Sequence, residues 1–482
     1  NLPTIAPLIQ WGFLLFRDSN VITINMRTEN DSLGEIRVPD EALWGASTQR
    51  AVENFPISGK PLPEPFIRSL GLVKALAAQA NADLGRISTE KSALIQRAAR
   101  EIYAGKLTAH FPVDVFQTGS GTSTNMNANE VIARRAAQLS GNAKAVHPND
   151  DVNCGQSSND IIPTVLHVSL ALALRDDLHP ALGRLRKALT RKQAEFGRIY
   201  KIGRTHLMDA TPLTMGQEFS GYAAQVDKAV ARVGRAIALL GELAVGGTSV
   251  GTGINGHAEF GARVCALLSE ETGIKFCEAA NHFEAQGARD DCVEVAGILA
   301  TVAVSLTKIA NDIRWLGSGP RAGLAELKLP ATQPGSSIMP GKVNPVMSEM
   351  LVQVCIYVQG LTHSVVMGGR DGHFELNVTL PLMAHCLHDA VHCLANGTRV
   401  FAERCVEGLV ADEAHCRQQM ERSLMLVTAL NPHIGYDQAA SVAKEALASG
   451  RSLRTVVLER GLMTVDSLDR ALDPATMTKP HG

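Results

Sequence analysis

Aromatic side chains are scarce, only 4% of the chain. Sheets draw on aromatic and β-branched residues, so this scarcity, beside abundant Ala and Leu, points to helices. No two of the nine cysteines have CxxC spacing, and their number is odd. That excludes a disulfide framework as the organising device and suits a reducing cytoplasm. The same scatter argues against a four-thiolate zinc or iron–sulfur site. Charge of one sign is also lacking: 46 Lys plus Arg face 48 Asp plus Glu, a formal net charge of −2. That balance argues against a nucleic-acid binder with a strongly basic footprint, a local patch aside. There is no GxxxxGK[ST] phosphate loop. The apolar run at residues 2–16 falls short of the roughly 20 residues a bilayer span needs. It contains Pro3, Pro7 and Gln10 and lacks a basic leader and a small-residue cleavage site. Residues 1–25 therefore read as an upstream extension, with Met26 as the natural start; a processed targeting leader is the alternative reading.

What is present is a large soluble chain: 482 residues, 45% hydrophobic and 20% charged. At roughly 100–200 residues per domain, about three domains are expected. Residues 26–160 mix short helical patterns with turn signals such as Gly34, Pro39 and Gly59. From Leu70 to Ala80 apolar residues recur at helical spacing. The middle, 161–409, carries long helical patterns at about 163–197, 221–246, 290–316, 345–367 and 379–407. Val226, Val230, Val233, Ile237 and Leu240 follow steps of 4, 3, 4 and 3, one helix face ended by Gly246-Gly247. Five such helices predict an elongated bundle, and helices this long bury surplus apolar faces against other subunits. Residues 410–482 read as a small helical domain.

Four stretches are not helix filler. Gln117–Asn125 (QTGSGTSTN) runs into a helical pattern from about Met126. Its glycines and hydroxyls make either an anion site at a helix start or a capped loop. Cys154–Asp160 (CGQSSND) is dense in neutral donors, with capping by Ser158, Asn159 or Asp160 as the structural alternative and Pro163 placed in the first turn. Gly203–Pro212 (GRTHLMDATP) reads as a polar loop holding His206, the side chain that exchanges protons near neutral pH. Gln333–Pro345 (QPGSSIMPGKVNP) cannot be helical throughout and is long enough for a lid. As a plain surface loop it would waste Ile338 and Met339 in water. Together the four describe a site of hydrogen-bond donors with one cation and one imidazole, suited to a small dicarboxylate.

GSSIMPGKVNP (335–345), TGSGTSTNMNANE (118–130), HPNDDVN (147–153) and GRTHLMDATPLT (203–214) resemble the class II fumarase family of the fumarase/aspartase group. The resemblance runs from about residue 27 to the end and includes SLMLVTALNPHIGYD (423–437). It implies a mostly α, three-domain fold with a long central five-helix bundle, and a homotetramer whose active sites each draw on three subunits. It implies reversible hydration of fumarate to malate in the tricarboxylic acid cycle, through an aci-carboxylate, with no cofactor and no metal. In that frame Ser336 is the base, supported by Lys342. His206, oriented by Glu349, handles water on the opposite face. Ser120, Thr122, Ser157, Ser158, Asn159, Thr205, Ser337 and Asn344 bind the carboxylates. Lys144, His147, Asn149 and Asp150 match a second anion site, for which a helix cap and surface turn is the alternative. Small dicarboxylates are the expected partners; nucleic acid and membranes are not.

His206 stands where aspartases carry glutamine, which favours fumarase over aspartate ammonia-lyase. A catalytically silent scaffold, of the kind lens crystallins represent, is the third reading; intact Ser336, Lys342, His206 and Glu349 speak against it. Met208 and Gln359-Gly360-Leu361 depart from the commonest fumarase pattern without touching a proton or charge. His385, His388 and His392 lie at i, i+3 and i+7, and HDAVH resembles a zinc HExxH with Asp for Glu. With Cys386 and Cys393 beside them, they read as packing histidines in a buried helix.

Overall fold

The computed structural model of the chain describes residues 25–480. The expectation of an upstream extension at 1–25 falls almost wholly outside the described residues. The described chain is mostly helical, and its strands are short two-stranded pieces. The five long patterns all hold helix, although the one at 221–246 ends at Leu239, short of Gly246-Gly247. Four are single helices: Met215–Leu239, Asp290–Leu316, Val346–Arg370 and Leu380–Arg404. The fifth is broken: Ser158–Ala173 leads through a π turn, Leu174–Leu178, into His179–Glu195. Its periodicity continues across the turn, so the sequence showed one helix.

Contacts divide the chain into two compact units. The first comprises residues to Pro180, Ala231–Ala303 and Ile356–Ala395. Within it, helix Glu64–Asp83 packs against Thr89–Tyr103, Ser158–Ala173 and Phe260–Thr272. Phe66, Leu70, Val73, Leu76 and Ala77 are buried there, which is why Leu70–Ala80 shows apolar residues at nearly every position. At Gly71 an added Cβ would lie 2.7 Å from the Ala99 carbonyl oxygen, so the glycine sets how closely the two helices approach. The second unit comprises Ala181–Val230, Val304–Cys355 and Asn396–Gly482. Its C-terminal helices close over a core of their own, including Leu430, Val442, Val456, Val457 and Leu468.

Asp290–Leu316 and Val346–Arg370 are long and apolar enough, by length and composition, to cross a membrane. Asp312 on the first accepts a hydrogen bond from Tyr222 Oη at 3.0 Å, a polar contact made inside the protein. Both helices also expose large apolar side chains: Val304, Trp315, Ile356, Tyr357, Val366 and Met367. None of the nine cysteines, all among the described residues, is joined in a disulfide. His388 lies on Leu380–Arg404, buried, with Nε2 2.8 Å from Ser169 Oγ. Burial, then the neighbouring His385, pushes its pKa down to about 4, so it packs as a neutral ring.

Candidate active site

The first two polar stretches lie in the first unit and meet each other. Gly121, left-handed at φ 72°, turns the chain into a helix that begins at Thr122, four residues before the sequence pattern suggests. The apolar period becomes visible only once the helix reaches the core, hence the later expected start. Its N-cap residue, Gly121, has no side chain to cap it. Ser120 Oγ and Thr122 Oγ1 sit 2.8 Å apart at its mouth. Gln117 Oε1 accepts from Thr124 N and Oγ1 and holds the loop's shape. In the second stretch Ser157 is the cap, and Asp160 completes a capping box. Ser157, not Ser158, Asn159 or Asp160, is thus the N-cap residue. Pro163 lies beyond the first turn, inside the helix Ser158–Ala173. With capping delegated, Ser158 and Asn159 are left for other contacts. Ser158 Oγ accepts from Asn125 Nδ2 at 3.3 Å, which ties the two stretches together. Asn159 Nδ2 donates to the Ser249 carbonyl at 2.8 Å.

The third stretch is a β-hairpin, not a loop: Tyr200–Thr205 pairs with Met208–Thr214 in antiparallel register. Ile202, Thr205 and Thr211 supply the β-branched positions that polar neighbours disguise in the sequence. His206 and Leu207 form the two-residue turn, at φ 56° and 60°. Both being left-handed is the I′ pattern, which favours Asn-Gly. A histidine and a leucine there store backbone strain, a pattern that clusters at functional sites. Leu207 is 72% exposed, and Thr205 and His206 are exposed with it.

The hairpin stands on buried charge. Lys201 is 1% exposed and Glu326 fully buried. Lys201 Nζ lies 3.2 Å from both Glu218 and Glu326, and Arg204 Nη2 donates to Glu326 at 2.6 Å. Burial pushes the Glu218 carboxyl up, while Lys201 opposes it. Removing one partner of such a cluster leaves a desolvated charge uncompensated. Glu326→Gln is therefore expected to cost about 3–5 kcal/mol, read as a lowered unfolding midpoint at fixed chain concentration. An unchanged midpoint would show that the cluster does not hold the hairpin.

The fourth stretch has no helix until Val346 and is pinned at its base. Gly335 N donates to the Lys342 carbonyl at 2.9 Å, and Asn344 Nδ2 donates to the Gly335 carbonyl at 2.6 Å. A side chain at Gly335 would put Cβ 2.3 Å from that Lys342 oxygen. Ser336 Oγ accepts from the N–H groups of Ile338 (3.2 Å) and Met339 (3.0 Å). Two donors on one hydroxyl oxygen favour its deprotonated form. Ser337 and Lys342 are exposed, and Ile338 is 83% exposed. Glu349 lies in the first turn of Val346–Arg370, with no ion pair among the described residues.

Of the second anion-site residues, Asn149 and Asp150 lie in a π turn, Pro148–Val152, that the His147 side chain caps by accepting from Asp150 N at 3.1 Å, and Lys144 precedes it. Lys144, His147 and Asn149 line a cavity of about 1140 Å³, which Asp150 does not reach. The sequence reading missed Lys74, Asn125 and Asn153. Lys74 Nζ donates to Asn153 Oδ1 (2.9 Å) and Gln156 Oε1 (3.0 Å) directly behind the second stretch. A lone lysine inside the apolar run Leu70–Ala80 was the available signal.

A family of lyases matches residues 34–360, and the family described as fumarase C C-terminus matches residues 426–479. Fumarate hydratase class II of Mycobacterium tuberculosis is 53% identical over 460 residues, 94% of this chain and 96% of that protein. The chain belongs to the class II fumarase family. Fumarate hydratase class II of Neisseria meningitidis is 49% identical over 462 residues, 95% of this chain and all of that one. The crystal structure of the class II fumarase of Schistosoma mansoni superposes with a TM-score of 0.93 at 40% identity, covering 95% of this chain and 100% of the other. The fold is thus that of the fumarase/aspartase group, mostly α.

Proposed function

We propose that the chain is a fumarate hydratase that adds water reversibly to fumarate, giving (S)-malate in the tricarboxylic acid cycle. The observation that carries this reading is the Ser336 hydroxyl, held by two backbone donors on a glycine-bounded loop of a class II fumarase.

In the malate-to-fumarate direction Ser336, as its alkoxide, removes the C3 proton. Electrons move onto the adjacent carboxylate to give the aci-form, and that doubled charge is the barrier. Lys342 and the Ile338 and Met339 N–H groups lower the cost of both anions in a closed, dry site. The C2 hydroxyl then departs from the opposite face, protonated by the His206 imidazolium. In hydration His206 takes the proton of the attacking water, and Ser336 returns one to C3. Glu349 holds the imidazole in one tautomer, as carboxylates do in other triads. Asn344, Ser337, Thr205, Ser120, Thr122, Ser157, Ser158 and Asn159 hold the carboxylates. No sulfur, metal or nucleotide is needed for proton transfers of this kind.

Separate copies of the chain complete each site in a cytoplasmic homotetramer. Apolar side chains left exposed on Asp290–Leu316 and Val346–Arg370 support that assembly. The cavity at Lys144, His147 and Asn149 supports a second anion site, with the Asp150 N–H orienting His147. Purified protein offered malate should produce the absorbance of fumarate, and aspartate should not. Release of fumarate from aspartate alone would make it an ammonia-lyase. No turnover on either acid would leave the scaffold reading.

A further inference from the structure

Buried charges in proteins are paired, because an isolated ion in a dry interior is costly. Lys74 departs from that rule. It is fully buried, in the middle of helix Glu64–Asp83. Its ammonium donates to two neutral amide oxygens, Asn153 Oδ1 and Gln156 Oε1, and no carboxylate lies within ion-pair distance among the described residues. Asp160 is the one charged group acting on it from the packed elements. That carboxylate is already engaged by the N–H groups of Ser157 (2.9 Å), Gly246 (3.1 Å) and Thr248 (3.0 Å).

An ammonium can only donate, so in its charged form Lys74 fixes the direction of every hydrogen bond beyond it. Asn153 must turn its oxygen inward, and that oxygen also accepts from Asn125 Nδ2 at 3.1 Å. Asn125 Nδ2 donates again to Ser158 Oγ. The Ser158 hydroxyl proton is thereby left to point elsewhere. Asn125 is 1% exposed, and its Oδ1 is buried with no partner. The cluster therefore ends in one free hydroxyl donor and one open acceptor, beside Ser157 and Asn159.

We propose that Lys74 is the counter-charge for the dicarboxylate: the bound dianion supplies the negative charge that its buried ammonium lacks, and Lys74, acting through Asn153 and Asn125, leaves the Ser158 hydroxyl to donate to it. This rests on the fumarate hydratase reading. Lys74 does not touch substrate; it acts through one layer of amides. Burial holds the ammonium's pKa down at about 7, Asp160 opposing, so near neutral pH the unliganded chain is poised between charged and neutral lysine. A dianion arriving beside it favours the charged form.

The test is inhibition by succinate, a saturated dicarboxylate that binds without reacting, in wild type and Lys74→Met. At pH 6 both free and bound wild type carry the charge, and K74M should bind succinate about 30-fold more weakly, equivalent to a pKa rise of about 1.5 on binding. At pH 9 wild-type Lys74 is neutral, and the ratio should fall below about threefold. A general loss of packing would weaken binding equally at both pH values, and that result, or no weakening, overturns the proposal. Should K74M not fold, His206→Asn serves, since its position 206 no longer titrates. Succinate binding to it at pH 8, followed by calorimetry in two buffers, should take up about 0.7 proton; zero uptake overturns the proposal. Wild-type turnover of fumarate is measured first. Its absence overturns the functional reading, whereas normal turnover with an unchanged K74M ratio overturns the role of Lys74 alone.

Discussion

Ser336→Ala should lower kcat by about 10³-fold or more, in the range expected when a positioned base is removed, while KM changes little. Ser336 handles a proton, whereas the substrate's carboxylates are assigned to Ser120, Thr122, Ser157, Ser158 and Asn159. The loop should survive the change, because its base is pinned by the Gly335 and Asn344 hydrogen bonds, not by the serine. Two N–H groups, of Ile338 and Met339, lose their acceptor; both residues are exposed, so water replaces it at small cost. Exchange of the malate C3 hydrogen in deuterated water isolates the step. It should vanish with turnover in Ser336→Ala and persist in Ser337→Ala, which loses only a carboxylate contact. Near-normal turnover in Ser336→Ala would take the base role from this residue.

The long helices were legible because periodicity is strong over 25 residues: Asp290–Leu316 matches its sequence pattern end to end. Elements whose reason lies elsewhere in the fold were not. The helix at Thr122 starts before its apolar period does, since its first turn faces the site and not the core. The hairpin around His206 read as a loop because its strands alternate polar residues, and because His-Leu at the turn is no recognised turn pair. Its foundation, Lys201 and Arg204 against Glu326, joins residues more than 120 positions apart, a pairing that sequence spacing does not reveal. The site residues themselves were visible through their chemistry, as hydroxyls, glycines and one imidazole where helix formers would otherwise stand. Lys74 was hidden for the opposite reason: its neighbours along the chain are apolar, and its polar partners come from Asn153 and Gln156.

His206→Asn should lower kcat by about 10²- to 10⁴-fold, and the backbone says why this variant is a clean one. At φ 56° a histidine is strained, while asparagine is among the residues that tolerate the left-handed region best. The turn should therefore keep its shape or relax, and thermal stability should hold or rise slightly. Loss of turnover with no loss of stability separates the imidazole's proton transfer from any structural service by the same residue. The strain makes a further point. A hairpin tip that would be more stable as Asn-Gly carries His-Leu instead, anchored by buried ion pairs that resist its relaxation. Stability is given up at the position where the proposed chemistry needs an imidazole. A variant that keeps its turnover would place water activation on another group.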